Sequence, residues 1–151
     1  MSIKSKNFRY LNDKLPELAV LADFAEQYLY TDPSSALVKL RSFIEKSVHI
    51  IYQELGLTEP EYASLIDLMR DEHFSQIVSP QLLSKMHAIR IEGNKAAHSP
   101  QSVSSDSAGW LLQEVHDVSK WMHLSFNNGV IEDLKPFELP NKTGQESQKS
   151  E

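Results

Sequence analysis

The chain has no cysteine among its 151 residues. That excludes disulfides, thiol catalysis and cysteine-ligated zinc or iron–sulfur centres, and it suits a reducing compartment. Glycine is scarce, at five residues in the whole chain, while Leu, Ala, Glu, Lys and Gln are common. Glycine loses the most backbone freedom on folding and those residues lose little, so this balance favours helix. No apolar run approaches the roughly 18 residues needed to span a bilayer. The opening Met-Ser-Ile-Lys-Ser-Lys also lacks the apolar core of a secretion signal. The expectation is a cytoplasmic protein with no membrane association. Positive charge is in deficit as well: 15 Lys and Arg against 21 Asp and Glu leave −6 at pH 7 with His neutral. A broadly basic nucleic-acid surface is thereby excluded, because Lys and Arg supply most non-specific phosphate binding; a local basic patch is not. Asn141-Lys-Thr143 spells a glycosylation acceptor, which has no meaning without secretion.

With 40% hydrophobic residues, the chain can bury one core and is too short for two ordinary domains. The pattern predicts an all-α, single-domain bundle of about five helices over residues 7–135. Residues 1–6 are expected to be a disordered N-terminus, and 136–151 a flexible tail or linker, because the polar run after Pro140 cannot bury enough apolar surface to order itself. Leu18, Leu21, Ala22, Ala25 and Leu29 recur at helical spacing behind Pro16. Asp32-Pro33 supplies a cap and first-turn proline for a second helix, whose stripe Leu37, Leu40, Ile44, Val48, Ile51 and Leu55 closes at Gly56. Thr58 and Glu61 have capping-box spacing for a short third helix through Tyr62, Leu65, Ile66 and Met69. Phe74 and Ile77 are expected in a connection. Ser79-Pro80 repeats the cap-then-proline start and opens a fourth helix along Leu82, Leu83, Met86, Ile89, Gly93, Ala96 and Ala97. Ser99 to Ser107 reads as a loop, and Leu111, Val115, Val118 and Met122 mark a fifth helix.

The fourth helix carries the least ordinary pattern. Arg90, Asn94 and His98 are spaced four apart, and each step of four advances about 40° beyond a full turn, so the three climb one face together. Arg can clamp a phosphate, His can move a proton near neutrality, and Asn can orient either group or a water. These are the candidate catalytic residues; no residue is assigned that role from the pattern alone. The alternative is structural: Arg90 pairs with a carboxylate, Asn94 ties down backbone, and His98 meets the negative end of the helix dipole. Gly93, Ala96 and Ala97 lie on the adjoining face, small enough for another helix to approach closely. Arg41 and Glu45 on the second helix supply the partners. Either Glu45 neutralises Arg90, making a structural network of Glu45, Arg90 and Asn94, or Arg41, Arg90 and His98 form an anion or nucleic-acid site; the first arrangement is favoured.

The other signals are weaker. His116, Asp117 and His123 fall two turns apart on one helix, but none of the six histidines forms a metal-protease motif, and no metal or cofactor is expected. Trp110 and Trp121 read as core or interface anchors. No glycine-rich phosphate loop, nucleophile elbow or pair of catalytic carboxylates is present.

The order Asp32-Pro33-x-x-Ala36-Leu37-x-Lys39-Leu40-Arg41-x-Phe43-x-Glu45, followed by Ile89-Arg90-x-x-Gly93-Asn94-x-Ala96-Ala97-His98, resembles the small helical domain at the N-terminus of type I restriction enzyme R subunits. The likeness covers about residues 7 to 127. It implies an accessory module of a restriction-modification system, in host defence against foreign DNA, whose nuclease and motor domains lie outside these residues. Its implied partners are other domains or subunits of the complex, with DNA binding or a homodimer as further expectations. That domain is in turn similar to the HEPN group, many members of which are ribonucleases with an Arg and a His near one helix end. By that likeness Arg90 would hold a phosphate, His98 would transfer a proton and Asn94 would be the polar residue between them, the alternative being a stand-alone metal-independent ribonuclease of a defence or toxin system. The spacing usual in that group is shorter than the seven residues that separate Arg90 from His98.

Overall fold

A computed structural model describes residues 2–142. Among them there are six α-helices and no strand, so the all-α expectation holds. Helix α1 (Pro16–Tyr28) starts at the proline, and α2 (Pro33–Glu54) is capped by Asp32, whose Oδ1 accepts from the Ser35 backbone N–H at 3.3 Å. At its far end the Leu57 N–H reaches the Tyr52 carbonyl at 2.9 Å and the Gly56 N–H reaches that of Gln53. This is a Schellman closure, which needs the positive φ of 67° that Gly56 adopts without strain.

Helix α3 (Leu65–Arg70) begins later than the Thr58 and Glu61 spacing predicts. The capping box is Ser64 with Asp67, and Tyr62 lies outside the helix, exposed, at φ 64°. The stretch expected as a connection is itself a helix, α4 (Glu72–Ile77), because Asp71 accepts from the Phe74 N–H and restarts the chain. Tyr52 secures both short helices: its hydroxyl donates to the Leu68 carbonyl at 2.6 Å and its ring stacks on Phe74 at 5.5 Å. Helices α5 (Pro80–His98) and α6 (Ser105–Phe126) are capped by Ser79 and Ser104, so the loop between them is shorter than the serine-rich run suggests.

Helix α2 is the axle of the bundle. It packs on α1, α5 and α6, and α5 also packs on α6. Leu40, Phe43, Ile44, Val48 and Ile51 are all fully buried along it, and each such side chain contributes about 1.5–3 kcal/mol relative to exposure. Lys85 ties α5 to α6 through Glu114 and Asp117, both at 2.7 Å. No helix among the described residues is long and apolar enough to cross a membrane.

Both ends of the chain are better anchored than their composition suggests. Ile3 is buried, the Ser5 N–H donates to Asp23 at 2.8 Å and the Ser5 hydroxyl to Glu26 at 2.6 Å, so the expected disorder of residues 1–6 does not describe residues 3–6. The C-terminal segment returns across the bundle. Asn7 and Glu138 exchange two hydrogen bonds, at 2.8 and 2.9 Å, and the Tyr30 hydroxyl donates to the Pro140 carbonyl at 2.6 Å. Residues 136–140 are thus docked by partners more than a hundred positions away, which is why their own polarity gave no warning. Residues 143–151 of the expected tail lie outside the described residues.

Candidate functional site

Gly93 decides how α5 meets α2. It is buried, and a Cβ built on it would lie 2.5 Å from Cβ of Arg41 and 3.1 Å from its Cγ. The Arg41 stem therefore crosses α5 in the space a side chain at 93 would fill. Ala96 is buried on the same seam, whereas Ala97 is exposed, so the packing strip is narrower than the three small residues implied.

The Arg41 guanidinium reaches Glu45 at 2.9 Å, one turn along its own helix. This pair replaces the Glu45–Arg90 pairing, because a helical neighbour four residues away is reachable without crossing the seam. Both partners are part-exposed, at 29% and 44%, so the bridge is worth no more than about 1 kcal/mol. Arg90 has no ion pair among the described residues. Its Nε is buried without an acceptor, and so is Nε of Arg41. Burial, then the charges of Arg70 and Arg41, pull its pKa down from the usual arginine value. Arg70 is the exposed last residue of α3. His87, one turn before Arg90, is also pulled down, by burial first and then by Arg90 and Arg70.

The remaining residues of the trio are not drawn into this cluster. Asn94 is half-buried, His98 is exposed at the last position of α5, and neither side chain has a partner among the described residues. The network expected from Glu45, Arg90 and Asn94 is not formed. Sequence reasoning missed His87 and Arg70; three-residue spacing from Arg90 could have found the first, while nothing local marks the second.

A second polar cluster lies at the far end of α6. His123 is buried, its Nε2 is 2.9 Å from Asp133 and its Nδ1 is 2.8 Å from Nδ2 of Asn127. The Asn127 amide cannot flip, since its Oδ1 accepts from the Lys14 N–H and its Nδ2 also donates to the Tyr10 carbonyl. Nδ1 must then be an acceptor, so Nε2 carries the hydrogen given to Asp133. With both nitrogens engaged, His123 has no free position for proton transfer although it borders a cleft of about 940 Å3. It is a latch holding the 3-10 turn Ile131–Asp133 to the helix end. A Cβ on Gly129 would run into the His123 ring. Gly129→Ala is expected to cost about 1–3 kcal/mol in chemical denaturation, the range for overpacking. Unchanged stability would show the latch to be loose.

The histidine and aspartate of α6 do not assemble as ligands. His116 is buried against Phe8, Tyr10 and Phe137, Asp117 is held by Lys85 and Lys120, and no group of three His, Cys, Asp or Glu among the described residues could hold a metal. Trp110 is 65% exposed and is no core anchor; Trp121 packs edge-on against Phe126.

Residues 23–149 match the family model described as Domain of unknown function (DUF4145). The chain belongs to that family. No curated protein and no solved structure matches it. The arginine cluster and His98 fall inside the DUF4145 match, as do the His123 latch and Asp133, whereas Asn7 and Tyr10 precede it.

Proposed function

We propose that this DUF4145 chain is a non-catalytic helical accessory module that makes contacts within a larger assembly, of the type I restriction-modification kind resembled by its Arg41 and Arg90–His98 segments. The observation that supports this most directly is the seating of Gly93 on Arg41: the face bearing Arg90 is first a packing surface between two helices. An acid–base centre would need His98 beside Arg90 and oriented by a third group. Instead His98 is eight residues further on, about 12 Å along the helix axis by rise alone, and no partner orients it among the described residues. Part-buried arginines with no oriented histidine beside them suit recognition better than chemistry.

The HEPN-like ribonuclease reading is the competitor, and it makes an opposite prediction. Purified protein is expected to leave single-stranded RNA intact in the presence of EDTA, and His98→Ala is expected to change nothing. Cleavage that disappears in the His98→Ala protein, with its helical circular dichroism preserved, would replace the module with an enzyme. In the other direction, the protein is expected to co-elute with a type I methyltransferase assembly on size exclusion. Failure to do so would remove the restriction-modification context.

A further inference from the structure

We propose that the cleft between the start of α6 and the docked C-terminal segment is a binding site for an alkylated ammonium group, with Tyr30, Trp110 and Phe137 as its aromatic lining and the Asp106 carboxylate as its counter-charge. The cleft lies outside the α2–α5 seam, and its role is independent of the accessory module proposed above.

Three separated parts of the chain build it. On α6, Asp106, Gly109, Trp110 and Gln113 fall at positions i, i+3, i+4 and i+7 and so share one face of the helix. Tyr30 comes from the turn between α1 and α2, and Phe137 and Leu139 come from the C-terminal segment. Together they surround about 400 Å3, inside the range of roughly 300–1,000 Å3 typical of small-molecule clefts. Two contacts fix the outer wall. The Tyr30 hydroxyl donates to the Pro140 carbonyl at 2.6 Å, and Leu139 passes so close to Gly109 that a Cβ there would lie 3.3 Å from its Cδ1. The lack of a side chain at 109 lets the segment lie against α6, and the hydroxyl bond leaves Tyr30 to offer its ring.

The composition of the lining selects the ligand. Trp110 and Leu139 are 65% and 59% exposed, and a lone exposed apolar side chain needs no explanation. These two share one cleft with two further aromatic rings. Among the described residues no Lys, Arg or His lines it, and its one carboxylate, Asp106, has no hydrogen bond or ion pair. An anion would meet uncompensated negative charge there. A neutral apolar group would strip water from Asp106 and return nothing for it. A bare ammonium or guanidinium needs several acceptors for its N–H groups, and the aromatic walls supply none. A methylated or quaternary ammonium has few such groups or none. Its charge is drawn to the negative faces of aromatic rings, tryptophan most of all, and its methyl shell packs on the same surfaces.

The test is a titration of the whole chain with choline chloride, exchanged against sodium chloride at constant ionic strength, following the Trp110 indole N–H and the Gly109 and Gln113 amides by NMR. A saturable shift of these signals is expected. Dimethylbutanol, the neutral analogue with carbon in place of the charged nitrogen, is expected to bind more weakly by about tenfold or more. Trp110→Leu and Asp106→Asn alter exposed side chains. Both are expected to keep the helical circular dichroism, and each to weaken choline binding by about tenfold. A linear drift with choline, equal binding of the neutral analogue, or unchanged affinity in either variant would overturn the site. A peptide carrying trimethyllysine separates the sources: binding tighter than that of choline identifies a methylated protein segment, and equal or weaker binding identifies a free quaternary amine. Either result supports the site.

Discussion

Gly93→Ala is expected to destabilise the protein by about 2 kcal/mol, in the direction opposite to the usual effect of alanine in a helix. At an open helical position the change would stabilise by about 0.8–1 kcal/mol through backbone entropy. Here the new methyl group would lie 2.5 Å from Cβ of Arg41, which is rooted in α2 and cannot swing away as a side-chain tip could. The helices must separate, and overpacking of this kind costs about 1–3 kcal/mol. For a chain of this length the loss corresponds to a fall in melting temperature of about 4–8 °C. Denaturant unfolding of the two proteins measures it. A double-mutant cycle identifies the cause: in an Arg41→Gly background the obstructing Cβ is gone, and the penalty of Gly93→Ala should largely vanish. Stabilisation by the single change would show that α2 and α5 do not approach as closely as Gly93 implies.

The second large effect comes from His116 and depends on pH. The ring is 1% exposed among Phe8, Tyr10 and Phe137, its Nδ1 is buried without a partner, and its pKa is pushed down to about 4. Burial is the main cause and the Lys120 charge adds to it, while Asp117 and the Asn7 backbone act weakly against it. An unfolded histidine titrates near 6.5. Between that value and about 4 the unfolded chain takes up a proton that the folded one refuses. Stability is therefore intact above pH 6.5 and falls as the pH drops, by about 2 kcal/mol at pH 5 and about 3 kcal/mol once both states are protonated. His116→Phe keeps an aromatic ring in the cluster and removes the proton site. It is expected to lie within about 1 kcal/mol of the parent at pH 7.5 and to lose less stability on acidification by the amounts just given. Carboxylates titrate alike in both proteins, so only the difference between the two curves matters; parallel curves would show that His116 is not the acid-sensitive group.

The legible and illegible parts of this molecule divide by distance along the chain. Asp32 with Pro33, Ser79 with Pro80, and Gly56 are read correctly because a cap acts on a backbone group within about four residues. The α2 stripe is legible because burial on one helix face imposes its own period. Tyr62 was misplaced where two caps compete within one short segment, and Ser64 with Asp67 outcompetes Thr58 with Glu61. The α2–α5 seam was half legible: Gly93 announces a close approach, and the spacing shows that Arg90 lies beside it. The approach of the second helix was legible from Arg41 and Glu45, but that Arg41 would keep Glu45 for itself and leave Arg90 without it was decided by packing.

The amino-acid sequence by itself determined an all-α domain, the principal helix spans and caps, the lack of thiol chemistry, and a polar line from Arg90 to His98 beside a strip of small residues. Only the tertiary structure decided that the termini are pinned through Asn7, Ser5 and Glu138, that His123 is locked by Asn127 and Asp133, that His116 is held uncharged, and that the Arg41 stem fills the space beside Gly93. Local hydrogen bonding and periodic burial are written within a few residues. The partners of Asn7 and the Arg41 stem that meets Gly93 lie most of the chain or whole helices away, and only packing brings them together.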